Sequence, residues 1–153
     1  MTQDVIEPTA HIPDGFRPLR IGGEFVAVNG PLYLRHEGDL VQLGFRVESR
    51  HCNPMRICHG GMLANFCDML LPVTVHRKSS EVGQRFLPTV SLQLDYLAPS
   101  ALGAWVQGEG QVLRVTRSMV FVQGLVSADG VPAVRCSGVF KIGPPFGDAP
   151  AKI

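Results

Sequence analysis

Asp68 is the one charged residue in the run Met62-Leu63-Ala64-Asn65-Phe66-Cys67-Asp68-Met69-Leu70-Leu71-Pro72-Val73. An acid in so apolar a stretch must be paired, neutralised or placed at a cleft, because an unpartnered buried carboxylate costs free energy. At a cleft, a carboxylate serves as general base or as nucleophile. Just upstream stand His59-Gly60-Gly61, where a helix through this run must begin. The first N–H groups of a helix are unsatisfied and point out along its axis. Such an end attracts an anion, or a carbonyl oxygen that is gaining negative charge. Glycines, without Cβ atoms, let that group come close. Asp68 lies seven residues beyond Gly61, two turns away, roughly 10 Å by helix rise. One small reacting group cannot touch both on the same helix.

The helix that positions these residues is apolar almost all the way round, which predicts a buried element. It is expected to end near His76-Arg77-Lys78, whose side chains suit the negative end of its dipole. Pro72 lacks the N–H that would meet the carbonyl of Asp68, and this predicts a bend. Upstream, Leu32 to His36 reads as a first strand. Leu40 to Glu48 alternates Val41, Leu43, Phe45 and Val47 with Gln42, Gly44, Arg46 and Glu48, a strand with one buried and one wet face. Downstream, strands are expected over Phe86 to Leu97, Ala104 to Val115, Ser118 to Ser127 and Val131 to Ile142. Gly108 and Gly110 suggest bends or bulges, and Asp129-Gly130 is a hairpin signal. Strands, one buried helix, then a strand meander make an α+β domain, an antiparallel sheet packed on one helix. Its expected span is 31–143, after a partly irregular extension at 1–30 and before a tail at 144–153. The edge strands and outer face of such a sheet predict association with further copies.

Composition removes several classes of function. The 153 residues fit one domain, and 14 basic against 13 acidic side chains leave a net charge of +1. That is no basic footprint for nucleic acid. No uncharged run approaches the roughly 18 residues of a membrane span. The N-terminus lacks the layout of a signal peptide, so a cytoplasmic protein is expected. Cys52, Cys58, Cys67 and Cys136 form no C-x-x-C pair, and free thiols are the default in that compartment. Cys52, Cys58 and His59 match no zinc spacing, so no metal or cofactor is expected.

From about Leu40 to Ile142 the chain resembles the PaaI-like acyl-CoA thioesterases of the hotdog-fold, 4-hydroxybenzoyl-CoA thioesterase superfamily. The resemblance rests on His59-Gly60-Gly61 with Asp68, on Asn53 upstream, and on the run Thr89 to Pro99 followed by Gly103. Asp129-Gly130 before Val139-Phe140-Lys141-Ile142 extends it. The chain departs from the family pattern at Pro72, Ser91 and Thr116. The resemblance implies a hotdog fold and hydrolysis of an acyl-CoA, with an aryl or medium-chain acyl group. It assigns the oxyanion donor to the N–H of Gly61, with or without that of Gly60, and makes Asp68 base or nucleophile. It also implies a homodimer or dimer of dimers, in which the two come from different subunits. Asn53 then holds water or the carbonyl, or is simply the turn residue before Pro54. Thr89 orients the water, or is an ordinary strand residue. His59 binds substrate, or caps the loop through a backbone bond. Arg114 and Arg117 meet CoA phosphates, or occupy a solvated turn. The alternatives are a non-catalytic acyl-CoA-binding domain and a hotdog dehydratase or hydratase. The last needs a His and an acid at one site, which His59 beside the glycines fits poorly.

Overall fold

The structure, a computed structural model, describes residues 11–148. The start of the N-terminal extension and the last residues of the expected tail lie outside them. The elements are β1 (Arg17–Leu19), α1 (Gly23–Asn29), β2 (Leu32–Glu37), β3 (Leu40–Arg46), a 3₁₀ turn (Ser49–His51) and α2 (Gly60–Lys78). Then come β4 (Thr89–Tyr96), β5 (Trp105–Val115), β6 (Met119–Ala128), β7 (Val131–Lys141) and a 3₁₀ turn (Phe146–Asp148). The strands form one antiparallel sheet in the order β1-β2-β3-β5-β6-β7-β4. β1 and β4 are its edges, so the segment before residue 31 contributes an edge strand to the sheet.

Helix α2 lies against the inner face. Phe66, Leu70, Leu71 and Val75 are fully buried among Val106, Val126, Val134 and Phe140. Gly108 and Gly110 make this approach possible. A Cβ on Gly108 would stand 2.6 Å from Leu70 Cδ2, and one on Gly110 2.5 Å from Thr74 Oγ1. Their role is therefore helix–sheet contact, not the bend expected of them. The register shifts fall elsewhere: between Val112 and Arg114 on β5, between Thr89 and Ser91 on β4, and at Val126 and Ser127 where β6 meets β7. The Asp129-Gly130 turn is as expected: both residues have positive φ, 46° and 81°, which a two-residue hairpin between right-twisted strands requires.

The wet face expected for β3 is not wet. Gln42 and Gly44 are buried along with Val41, Leu43 and Phe45. At Gly44 the reason is Trp105, which lies so close that a Cβ there would meet its ring at 2.4 Å, and the Gln42 amide is bonded to Glu109. Phe16 packs edge-on to Trp105 with ring centroids 5.0 Å apart, and the Arg46 guanidinium sits 5.1 Å from the ring centre. Helix α2 in turn is not equally buried all round. Gly61, Asn65, Asp68, Pro72 and His76 recur every three or four residues and stay at least partly open. This stripe faces away from the sheet and holds the candidate residues Gly61 and Asp68.

Candidate active site

At the mouth of α2, His59 is the N-cap residue. Its Nδ1 accepts the Gly61 N–H at 2.8 Å, and its carbonyl receives the N–H groups of Met62 and Leu63. A side chain that takes an orphan donor in this way stabilises the helix end. The N–H expected to hold a substrate oxygen is thus occupied by the chain's own imidazole. The Gly60 N–H has no hydrogen-bond partner among the described residues. The carbonyl of Gly60 accepts the Tyr96 hydroxyl at 2.7 Å, which ties the helix start to the end of β4. Sequence reasoning missed Tyr96. The only signal available was its place at the close of an alternating strand.

The loop into this mouth is fixed from both sides. The Glu48 N–H donates to His51 Nδ1 at 3.0 Å, so the imidazole proton is on Nε2, which meets the Asn29 carbonyl at 2.7 Å. Arg50 donates to the carbonyls of Val28 and Gly30. Three successive carbonyls at the negative end of α1 are thereby satisfied. Burial pushes the His51 pKa down, and neighbouring Arg50 adds to the effect. The bonding agrees, since a second proton on Nδ1 would face the Glu48 N–H. Within the loop, Asn53 Oδ1 accepts the N–H groups of Met55 and Ile57 at 3.0 and 3.4 Å. Its side-chain oxygen is engaged in the turn.

Two turns along α2, Asp68 is half-buried and its Oδ1 accepts the Thr89 hydroxyl at 2.7 Å. Thr89 opens β4, next to the register shift. Both residues line a largely apolar cavity of about 640 Å³ that runs along the open stripe of α2. Met69, Pro72 and Val73 form its floor, and Ile21, Phe86 and Phe146 come over it from three distant parts of the chain. At the far end, His76 bonds the Arg85 carbonyl at 2.7 Å and packs edge-on to Phe146. The N-terminal and C-terminal walls have no periodic signature, so no pattern in the chain announces them.

The structure therefore brings Asp68 to Thr89, and His59 to Gly60 and Gly61, but holds the two groups at opposite ends of two helical turns. Asn53 belongs to the second group by proximity in sequence. Arg114 and Arg117 lie on β5 and the β5–β6 turn, line no part of the Asp68 cavity, and make no ion pair among the described residues. Also among the described residues, no three His, Cys, Asp or Glu side chains converge as metal ligands, and no helix is long and apolar enough to cross a membrane.

The chain is 26% identical over 133 residues to a Pseudomonas aeruginosa protein named as a putative esterase, a match that covers 86% of this chain and 98% of that one. Among solved structures it resembles a mutant form of the phenylacetic acid degradation protein PaaI from Thermus thermophilus. That match has a TM-score of 0.65 at 19% identity over 76% of this chain and 96% of that one. A hypothetical thioesterase from Streptococcus pneumoniae, solved with coenzyme A, matches at a TM-score of 0.66 and 16% identity, over 79% of this chain and 97% of that one. These two likenesses establish a shared hotdog fold, one sheet curled on one long helix. Residues 55–133, from the loop before the helix to the last strand, match the family model described as Thioesterase superfamily, and with more than half of its length so matched the chain belongs to that superfamily.

Proposed function

We propose that this protein hydrolyses acyl-CoA thioesters to free acid and CoA. The observation that carries the reading is the Asp68–Thr89 pair set at the wall of an apolar cavity. Thr89 has one hydroxyl proton, and Asp68 Oδ1 receives it. The other carboxylate oxygen is left to take a proton from water, or to attack the thioester carbon itself. In the first route, a water donating to Asp68 and to the Thr89 oxygen is aimed at the carbonyl. The CoA thiolate then leaves.

The carbonyl oxygen needs donors at the moment it gains charge. Gly60 and Gly61 of the same helix are too far from Asp68, so the reading requires the helix mouth of a second copy. The Gly61–Asp68 part of the α2 stripe and the edge strand β4 support such a pairing, since both stay partly open in the single chain. Within that mouth, the substrate oxygen bonds the free Gly60 N–H, or replaces His59 on that of Gly61. His59 is then a resident cap, not a proton carrier. Asn53 shapes the turn that presents His59, while Arg114 and Arg117, which make no ion pair among the described residues, are available to CoA phosphates. The cavity volume falls within the usual range for small-molecule sites, and its aromatic edges suit an aryl or medium-chain acyl group. A cytoplasmic setting is supported by the four free cysteines.

One observation favours a second reading, a non-catalytic acyl-CoA binder: the Gly61 N–H is already occupied. The test is a panel of acyl-CoAs with release of thiol followed by a colorimetric reagent, beside calorimetric binding of the same compounds. Turnover of aryl or medium-chain substrates supports hydrolysis. Binding without turnover across the panel selects the second reading, and neither binding nor turnover overturns both.

A further inference from the structure

We infer that Cys52 and Cys58 are a modification site, a dithiol that a hydroperoxide closes to a disulfide across the neck of the loop leading into α2. The two residues are partners in an isolated antiparallel bridge. The bonds flanking that bridge are Asn53 N–H to the Ile57 carbonyl at 2.9 Å and His59 N–H to the His51 carbonyl at 2.8 Å. Cys52 and Cys58 exchange no bond with each other, so they form the non-hydrogen-bonded type of pair. In that type the side chains lie closer, with Cα atoms about 4.5 Å apart, inside the ~4.4–6.8 Å that a disulfide spans. The turn between them is held independently by Asn53 Oδ1 and by the Arg56 N–H to the Asn53 carbonyl at 2.9 Å. The backbone therefore keeps the two side chains directly opposite each other across the bridge whatever their oxidation state.

The pair is also asymmetric in the way a sensor needs. Cys52 is partly open to solvent and Cys58 is buried. Burial, with Cys52 beside it, pushes the Cys58 thiol up to about 12, so Cys58 is the poorer first nucleophile. In the first step Cys52 sulfur attacks a peroxide oxygen, the O–O bond breaks, water or an alcohol leaves, and Cys52 becomes a sulfenic acid. Cys58 sulfur then attacks Cys52 sulfur. The S–S bond forms, the S–O bond breaks, and the oxygen departs with the Cys58 proton as water. Two electrons pass from the thiols to the peroxide, and a thiol reductant returns them. Closure removes the weak thiol bonds to the Glu48 and His59 carbonyls and pins the residue that caps α2. The other close pair, Cys67 and Cys136, is fully buried between α2 and β7 and has no such access.

The test uses the full chain, reduced, then treated with a small excess of hydrogen peroxide, alkylated in denaturant and weighed intact. The expected product has lost two hydrogens and keeps two alkylatable thiols. Trypsin cuts after Arg50 and Arg56, so peptides 51–56 and 57–77 should run as one until a reductant is added. Because 57–77 also holds Cys67, the digest is repeated on Cys67→Ser, which should still give the linked pair. Cys52→Ser and Cys58→Ser should each lose it. Four alkylatable thiols after treatment would overturn the proposal. So would a link between Cys67 and Cys136, or stable over-oxidation of Cys52 with Cys58 left free.

Discussion

Thr89 donates its hydroxyl proton to Asp68 Oδ1 across 2.7 Å, and in doing so joins an edge strand to the middle of the central helix. The contact fixes which carboxylate oxygen is free and leaves the Thr89 oxygen only as an acceptor. Asp68→Asn keeps the shape but cannot take a proton or attack. Steady-state hydrolysis of the best acyl-CoA should fall by roughly 10²- to 10⁴-fold, with a melting temperature equal to or above the parent's, since function and stability commonly oppose each other at such sites. Full activity in this variant removes Asp68 from the mechanism.

Thr89 separates orientation from mere strand packing. Thr89→Ser retains the hydroxyl and should keep most of the turnover. Thr89→Val is nearly isosteric and loses the bond to a charged group, worth about 1.5–3 kcal/mol, or ten- to a hundredfold in kcat. Equal rates for the two variants would show that the hydroxyl is not used.

In the proposed mechanism, His59 and the substrate compete for the Gly61 N–H at the helix mouth. His59→Ala should cost about 0.5–2 kcal/mol of stability as a lost cap and, by freeing the Gly61 N–H, lower KM. An unchanged KM would direct the carbonyl to Gly60. Gly61→Val sets a branched side chain against His59 Nδ1, which already stands 3.0 Å from the place of a Cβ. Its kcat should drop while assembly persists.

The proposed shared site depends on assembly. Light scattering of purified protein should give at least a dimer of the 16.6 kDa chain. A monomer at micromolar concentration that still hydrolyses acyl-CoA would require both halves of the site to come from one chain, which two helical turns forbid.

His51 gives the pH dependence of stability. Its pKa in the folded protein lies below the ordinary value of 6.5, so the unfolded chain binds the proton more readily. Its contribution is whole above that ordinary value and is lost as pH falls through the folded one. Melting temperature should decline as pH falls from about 7 towards 5, and His51→Gln should flatten the decline. Parallel declines would place the titration elsewhere.

What the sequence revealed follows physical range. Local signals were sufficient for α2, where one acid among apolar residues implied a partner or a cleft and the structure supplies both. They were sufficient for the Asp129-Gly130 turn, whose residue types tolerate its backbone angles. They failed where a role depends on something remote. Gly108 and Gly110 read as breaks in a strand because Leu70 and Thr74, which need their space, are on another element. Gly44 reads as wet because Trp105, packed with Phe16, comes from elsewhere to cover it, and Gln42 because its amide meets Glu109 on β5. The cavity walls at Ile21 and Phe146 are distant in the chain and belong to no repeat. His59 could be weighed as a cap, but only the ring orientation shows that it occupies the Gly61 N–H.

Trp105 is the only tryptophan in the chain, and it is buried on the outer face of the sheet under Phe16 and Arg46, not beside the Asp68 cavity. Its emission is therefore an optical gauge of how the segment before β1 seats on β3 and β5. In a melt followed by fluorescence, a shift that precedes loss of the far-ultraviolet signal would mean that this cover lifts first. The same lamp would stay silent when an acyl group enters the cavity, so ligand titrations need a reporter placed at Phe86 or Phe146 instead.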